Sequence, residues 1–308
     1  MKIGFLKNGS IVTASTRIRV DYVLPYMKDA IASNNPSDLK DCDVIIFQKR
    51  YKEEDCRWAR FFKKCNKKVI FDLTDPVWDK DYPAVYFPIT HDKEEYFNMM
   101  IQLSDCITFP TFKLESMFLE TFGKYNTKVV LDRIDLSLHQ YPKVHEDKKQ
   151  YIILWHGTKF SISHIDLVRN DLEKLAKEVN FKLVIIYEKG GEQLKPFKNF
   201  EVEYKIWDIN TINQEILNAD ITINPHPENS YKSNNKCVKS WALGVPCITN
   251  NTEFKVTNFY DECLALLNNK KIKKKITDID RSFVESYYDS EISAREIEEL
   301  CNEIKTKI

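Results

Sequence analysis

The stretch that most constrains this chain runs from Ala219 to Ile248, ADITINPHPENSYKSNNKCVKSWALGVPCI. Asp220 to Ile223 reads as a short buried strand, and two prolines then force a loop, Pro225 and Pro227. From Asn235 to Leu243 the apolar residues Cys237, Val238, Trp241 and Ala242 recur at helical spacing. Gly244 stops that helix, and Val245 to Ile248 begins another strand. A strand–loop–helix–strand unit belongs to a parallel α/β sheet, whose loops at the carboxyl ends of the strands are where ligands bind. A helix start there offers free N–H groups and a positive dipole end. Lys232 and Lys236 add charge, so an anion, a diphosphate above all, suits the place. An ordinary βαβ connection with a solvated lysine pair fits the same residues.

Strand and helix patterns alternate along the rest of the chain. Strands are expected at Lys2–Leu6, Asp43–Phe47, Lys68–Phe71, Asp105–Phe109 and Lys128–Leu131, then at Tyr151–Trp155, Lys182–Tyr187 and Glu201–Tyr204. Helices are expected from Arg17 to about Ala30, Glu53 to Cys65, Lys93 to Ser104, Thr111 to Phe122, His164 to Val179, Asn210 to Asn218 and Ser293 to Lys305. At 308 residues the chain is long for one α/β sheet and comfortable for two. This predicts two facing Rossmann-like domains, at 1–140 and 151–285, joined by a polar linker over 136–150. A last helical segment, 286–308, is free to return to the first domain. The basic run Asn268–Lys275 reads as a solvated turn between helices, with contact to a lipid or polyanion as the alternative.

Several function classes are disfavoured. Formal net charge is zero, against a dedicated nucleic-acid binder. No apolar run approaches the length of a membrane span, and no signal peptide precedes the first strand, so a cytoplasmic protein is expected. The eight cysteines form no Cys-x-x-Cys pair and read as reduced core residues. The G-x-G-x-x-G fingerprint of dinucleotide enzymes is absent. There are only seven glycines, and Gly9, Gly157 and Gly244 each fall at a strand–helix junction.

The strand ending in Asn-Pro, the Lys-Ser-x-Asn-Lys loop and Trp-Ala-Leu-Gly-Val-Pro together resemble the donor-binding half of GT-B glycosyltransferases. The likeness is greatest to their large group-1 family of retaining enzymes. It implies a glycosyltransferase with a nucleotide-sugar as substrate, no cofactor and no required metal. Donor-binding residues implied by position are Gly157, Thr158 and Lys159, Trp207 for the base, and Lys232, Ser233, Asn234, Asn235 and Lys236 for the diphosphate. Gly9, Ser15, Thr16, Arg17 and Arg19 resemble the family's first cleft loop. Arg17 and Arg19 lie in the first turn of the expected helix, where positive charge opposes the dipole and calls for an anion. An inverting reaction would need a base, with Asp72, Asp75 and His91 as candidates; each also fits a plain turn or helix start.

One departure stands out. The family carries two glutamates eight positions apart, the second holding the donor ribose; here those positions are Tyr231 and Lys239. The acceptor is open between a glycan, a lipid-linked glycan and a nucleic-acid base. Peripheral membrane contact through the aromatic and basic helix at 53–65 is a further option, beside its reading as a core-packing helix. Alternative readings are glycosylation of modified DNA bases, transfer of another phosphate-activated group such as glycerol phosphate, and a non-catalytic nucleotide-binding subunit of the same shape.

Overall fold

The computed structural model describes residues 1–79, 91–140, 142–190, 194–227, 230–249 and 258–306. The chain forms two compact units. The first comprises Met1–Asp135, Tyr231–Ser233 and Asp289–Ile308; the second comprises Leu136–Ser230 and Asn234–Tyr288.

The first unit is built on β1 (Ile3–Leu6), β2 (Ala30–Ser33), β3 (Val44–Gln48), β4 (Lys68–Asp72), β5 (Cys106–Phe109) and β6 (Thr127–Val129). They lie in the order β2-β1-β3-β4-β5-β6, all parallel. Strands β1, β3 and β5 are buried at every position, as a sheet covered on both faces requires. The short turn α1 (Ala14–Thr16) follows β1. Then come α2 (Glu53–Lys64), α3 (His91–Leu103) and α4 (Phe112–Phe122). Their Phe62, Phe97, Met100, Leu114 and Phe118 pack on one face of the sheet with Phe47 and Phe71. The last helix, Ser290–Thr306, packs Ala294, Ile297 and Leu300 against Phe5, Ile46 and Ile70 on the other face.

Local chemistry explains the helix ends. In α2, the Asp55 carboxylate accepts from the Lys52 N–H at 2.9 Å. Acids fill its first turn and Lys63 and Lys64 its last, both matching the dipole. Thr111 caps α4 by accepting from the Leu114 N–H at 3.2 Å.

One expected helix is not formed. Between Arg17 and Ala30 the chain makes a wide turn at Arg17–Asp21 and a 3-10 turn at Leu24–Tyr26. Pro25, with no N–H to give, breaks the pattern there. Ala30–Ser33 instead becomes β2, pairing Ile3 with Ala30 on the sheet edge. Two alanines, an isoleucine and a serine, all half-buried, carry too weak an alternation to be read as a strand.

The second unit holds β7 (Tyr151–Gly157), β8 (Phe181–Tyr187), β9 (Glu201–Ile206), β10 (Ile221–Ile223) and β11 (Cys247–Ile248), in the order β11-β10-β7-β8-β9 and all parallel. Helices α5 (Arg169–Leu175), α6 (Ile212–Asn218), α7 (Asn235–Ala242), α8 (Phe259–Asn268) and α9 (Lys270–Tyr287) surround it. One face packs Leu172, Leu175, Cys263 and Leu267 on Ile153, Leu183 and Ile185. The other packs Ile212, Ile216 and Val245 on Leu154, Val184 and Ile186. The helix expected from His164 to Val179 is a 3-10 segment, Ile162–Val168, followed by α5. The basic run at 268–275 is no free turn. Asn269 caps α9 by accepting from the Lys271 and Ile272 N–H groups at 3.1 Å, and the lysines occupy the first two helical turns.

Candidate active site

In the second sheet the strand order reverses between β7 and β10. In doubly wound sheets the ligand crevice opens at that switch point, beyond the carboxyl ends of the strands. Here those ends are His156-Gly157-Thr158 on β7 and Asn224-Pro225 on β10, and α7 starts from the loop after β10. Gly157, Thr158 and Lys159, together with Asn234, Asn235 and Lys236 at the start of α7, therefore share one edge of one sheet. Trp207 stands at the carboxyl end of β9 on the same edge, half-buried against the Ile212–Val245 cluster, its N–H bonded to the Tyr187 carbonyl at 2.9 Å.

Gly157 and Lys236 are in direct apposition. A Cβ on Gly157 would lie 2.8 Å from Lys236 Nζ and 2.7 Å from the Trp155 ring, so no larger residue fits without displacing one of them. Lys236 Nζ stands 5.0 Å from the centre of that ring. Beneath it, Trp155 is buried, and its Nε1–H has no hydrogen-bond partner among the described residues. Asn224 is 1% exposed, and its Oδ1 is likewise unpaired. Its Nδ2 donates to Cys237 Sγ at 3.4 Å, and its carbonyl accepts from Thr249 Oγ1 at 2.8 Å. Cys237 and Cys247 are 3.2 Å apart at sulfur. Burial opposes the Cys237 thiolate, but hydrogen bonds from Cys247 and Asn224 and the charge of Lys236 outweigh it and hold this thiol below its ordinary pKa. Gly244 ends α7 at φ +69°, the left-handed conformation glycine accepts without strain.

Lys159 and Thr158 are engaged locally. The Lys159 N–H donates to Glu188 at 2.8 Å and the Thr158 hydroxyl lies 3.2 Å from that of Ser161. His226, in the loop after β10, is 6.1 Å from His164 ring to ring, and its Nδ1 is 3.4 Å from Ser230 Oγ. Neither histidine stands out in the sequence, because each is a lone residue in a polar stretch.

Lys232 and Ser233 are elsewhere. With Tyr231 they belong to the first unit. The Tyr231 carbonyl accepts from Thr111 Oγ1 at 3.0 Å, and Ser233 Oγ donates to Asp132 at 2.5 Å. Lys232 donates to Asp75, whose other oxygen meets Lys49 Nζ at 2.5 Å. Burial disfavours the Asp75 carboxylate, but the two ammonium groups outweigh it and hold its pKa well below the ordinary range. Asp75 is thus a weak proton acceptor.

Asp72 is also bound within the first unit. Arg19 grips it with two nitrogens, at 2.5 and 3.2 Å, and Thr108 Oγ1 donates to it at 2.7 Å. Arg19 also reaches Asp132 at 3.4 Å and the Val130 carbonyl. Burial and the neighbouring Asp72 push Asp132 up against the pull of Arg19 and Ser233. The anion that Arg19 required is therefore this carboxylate pair, and Arg17 satisfies itself on the carbonyls of Ile11 and Val12, at 2.8 and 3.3 Å. Thr16 Oγ1 donates to Gln48 at 3.1 Å, the half-buried Ser15 lies beside it on α1, and the Gly9 carbonyl accepts from Asn34 at 3.2 Å. The backbone of His91 opens α3; its side chain lies outside the described residues.

No family model and no curated protein matches the chain. Solved structures do. An alpha-glucosyltransferase in complex with UDP and a 13-mer DNA containing a HMU base aligns over 100% of both chains, with TM-score 0.69 and 11% identity. A glycosyltransferase from Rickettsia africae ESF-5 aligns over 100% of this chain and 99% of its own, with TM-score 0.68 and 14% identity. TarM aligns over 92% of this chain with TM-score 0.59 and 12% identity, and the chain spans 57% of TarM's length. The fold is that of the GT-B glycosyltransferases: two Rossmann-like α/β units in one chain.

Proposed function

We propose that the protein is a glycosyltransferase that takes a sugar from a nucleotide-diphosphate donor, without a metal and with retention, and passes it to an acceptor. The observation that carries this reading is the apposition of Gly157 and Lys236 at the β7/β10 switch point, where α7 begins. A diphosphate there would receive N–H groups from the start of α7 and the charge of Lys236. As the bond to the sugar breaks, negative charge grows on the leaving phosphate, and a fixed ammonium and backbone dipoles stabilise that growth more than they stabilise the bound ground state. The unpaired Asn224 Oδ1 and Trp155 Nε1 mark polar capacity left open at the same edge. Trp207 is proposed to stack on the base. Solved proteins of this fold carry UDP, which supports a nucleotide as the ligand.

In the first unit, the carboxylates Asp72 and Asp75 are proposed to set the positions of Arg19, Lys49 and Lys232, since both are ion-paired before any substrate arrives. A retaining reaction in which the leaving phosphate takes the acceptor proton asks no base of them. A lipid-carried acceptor would bring the protein to a membrane peripherally, because among the described residues no helix is long and apolar enough to cross one.

A thermal-shift screen of UDP, GDP, CDP and dTDP and their sugars, with and without magnesium, tests the reading on wild type and Lys236→Ala. A binding nucleotide raises the melting temperature by mass action. The expected result is a magnesium-independent shift with one base that Lys236→Ala loses. No shift with any nucleotide would overturn it. A shift without transfer or donor hydrolysis would indicate a binding subunit. Transfer to oligonucleotides containing hydroxymethylated bases, against glycan acceptors, separates the two acceptor classes.

A further inference from the structure

We propose that Cys237 and Cys247 are a redox modification site, two thiols that hydrogen peroxide joins into a reversible disulfide at the start of α7. Formation of the bond is independent of the donor reading. Its consequence, that the oxidised chain no longer holds a nucleotide, rests on that reading. All eight cysteines are free thiols, and the sulfurs of these two stand 3.2 Å apart.

Cys237 lies in the first turn of α7 and is fully buried, whereas Cys247 opens β11 and is half-buried. Strand β11 stands at the edge of the sheet and pairs through two residues, Cys247 with Thr222 and Ile248 with Ile223. So short an edge ladder opens locally at a lower free energy than the buried centre of a sheet. A disulfide holds its sulfurs at about 2.05 Å, so this pair has about 1 Å to close. Cys247 Sγ donates to Cys237 Sγ. Burial, the neighbouring Cys237 and Asp280 of α9 hold the Cys247 thiol well above its ordinary pKa, so the negative charge of the pair sits on Cys237, beside Lys236. The thiolate is the form that attacks an oxidant.

Hydrogen peroxide is small enough to enter when the β11 edge opens. The Cys237 thiolate attacks one peroxide oxygen, the O–O bond breaks, and Cys237 becomes a sulfenic acid. The hydroxide that leaves takes the Cys247 proton and departs as water. With the Cys237 charge gone, Cys247 is freed to ionise. Its thiolate attacks the sulfenic sulfur, the S–S bond forms as the S–O bond breaks, and a second hydroxide leaves and is protonated to water. Two thiols and one peroxide thus give one disulfide and two waters, and a dithiol reductant reverses the change by exchange. The reaction reaches the donor edge through Asn224, whose Nδ2 donates to Cys237 Sγ at 3.4 Å and whose Oδ1 is unpaired. A sulfur drawn to Cys247 gives up that hydrogen bond and pulls on the first turn of α7, where Lys236 is the preceding residue. Lys236 and the N–H groups beside it then leave the positions proposed for a diphosphate.

Trypsin separates the two cysteines, Cys237 into the peptide 237–239 and Cys247 into 240–255. The test treats the full chain with graded hydrogen peroxide, blocks the remaining thiols by alkylation under denaturing conditions, and maps unreduced peptides by mass spectrometry. The two peptides are expected as one cross-linked species, at lower peroxide than oxidises the exposed Cys65, and dithiothreitol should release them. Cys247→Ser is expected to give no cross-link and to leave a Cys237 sulfenic acid that dimedone traps. Thermal shift with UDP, GDP, CDP and dTDP, each against the same protein without ligand, reads the consequence. Oxidised wild type should lose most of the nucleotide shift and regain it with dithiothreitol, while the shift of Cys247→Ser, whatever its size, should be the same before and after peroxide. Oxidation of Cys65 with no link between 237–239 and 240–255 would overturn the disulfide. A complete cross-link that leaves the nucleotide shift intact would overturn its effect on the donor edge. Absence of any nucleotide shift in reduced wild type counts against the donor reading instead, and the cross-link still decides the disulfide.

Discussion

The carboxyl edges of the two sheets use charge in opposite ways. In the first unit, cations and carboxylates meet one another: Arg19 with Asp72 and Asp132, Lys49 and Lys232 with Asp75. In the second unit the corresponding edge joins a lysine, the start of a helix and two unpaired polar atoms around Gly157. A cluster neutralised by its own residues is fixed in place and gives little to an incoming anion. An edge with open polar capacity is where an anion lowers the free energy most. The same fold thus carries a self-satisfied charge cluster in one unit and, in the other, the edge with open polar capacity that is proposed as the donor site. Carboxylates show the contrast as well, since Asp280 in α9 has no hydrogen bond or ion pair among the described residues, and burial lifts its pKa to about 7.

Arg19→Met breaks the first side of the comparison. Two buried carboxylates lose their cation, and breaking a buried pair costs about 3–5 kcal/mol, to be read as a drop in urea midpoint. A loss below about 1 kcal/mol would mean that the cluster does not hold the first unit together.

Asp280→Asn probes the unpaired carboxylate. The folded pKa, about 7, lies above the unfolded value of 3.8, so the folded state binds the extra proton between them. Stability is then full below pH 4 and falls as pH rises toward 7. The asparagine variant should be more stable than wild type by about 2–4 kcal/mol at pH 8, less at pH 5 and equal near pH 3.5. A pH-independent difference would show that Asp280 finds a partner in solution.

Gly157→Ala sharpens the receptive side. The new methyl group meets the Trp155 ring or Lys236 Nζ, an overpacking worth about 1–3 kcal/mol, and the nucleotide shift should vanish with it. The smallest stability effect belongs to Lys236→Ala, at less than about 1 kcal/mol for the lost ring contact, although its effect on ligand binding should be complete. Equal losses of stability from Lys236→Ala and Arg19→Met would erase the distinction between the two edges.

Much of the receptive edge was legible in the chain. Gly157, the start of α7 at Asn235 and its stop at Gly244 each follow from short-range rules of strand exit, helix period and glycine conformation. The paired edge was not. Asp72 and Arg19 are 53 positions apart and Ser233 and Asp132 are 101 apart, so no local pattern announces their meeting. Lys232 and Lys236 look equivalent in the loop, yet one stands with Asp75 and the other with Gly157. His226 carried no signal, since a lone polar residue between prolines reads as a turn, and Asn224 was legible only as the Asn-Pro end of a strand, without its unpaired Oδ1. Strand β2 was hidden for a different reason: its four residues, Ala-Ile-Ala-Ser, are all half-buried with no clear alternation, and the segment before it continues a helical period until Pro25.

By itself the sequence determined the alternation of strands and helices, the division into two Rossmann-like halves and the helix that anchors the receptive edge, because periodicity, capping and glycine or proline conformation act over a few residues. Only the tertiary structure decided which charges cancel and which are left over. Coulombic pairing and burial depend on distance through space, and it is folding that brings Arg19 to Asp72 and leaves Asp280 with no ion pair among the described residues.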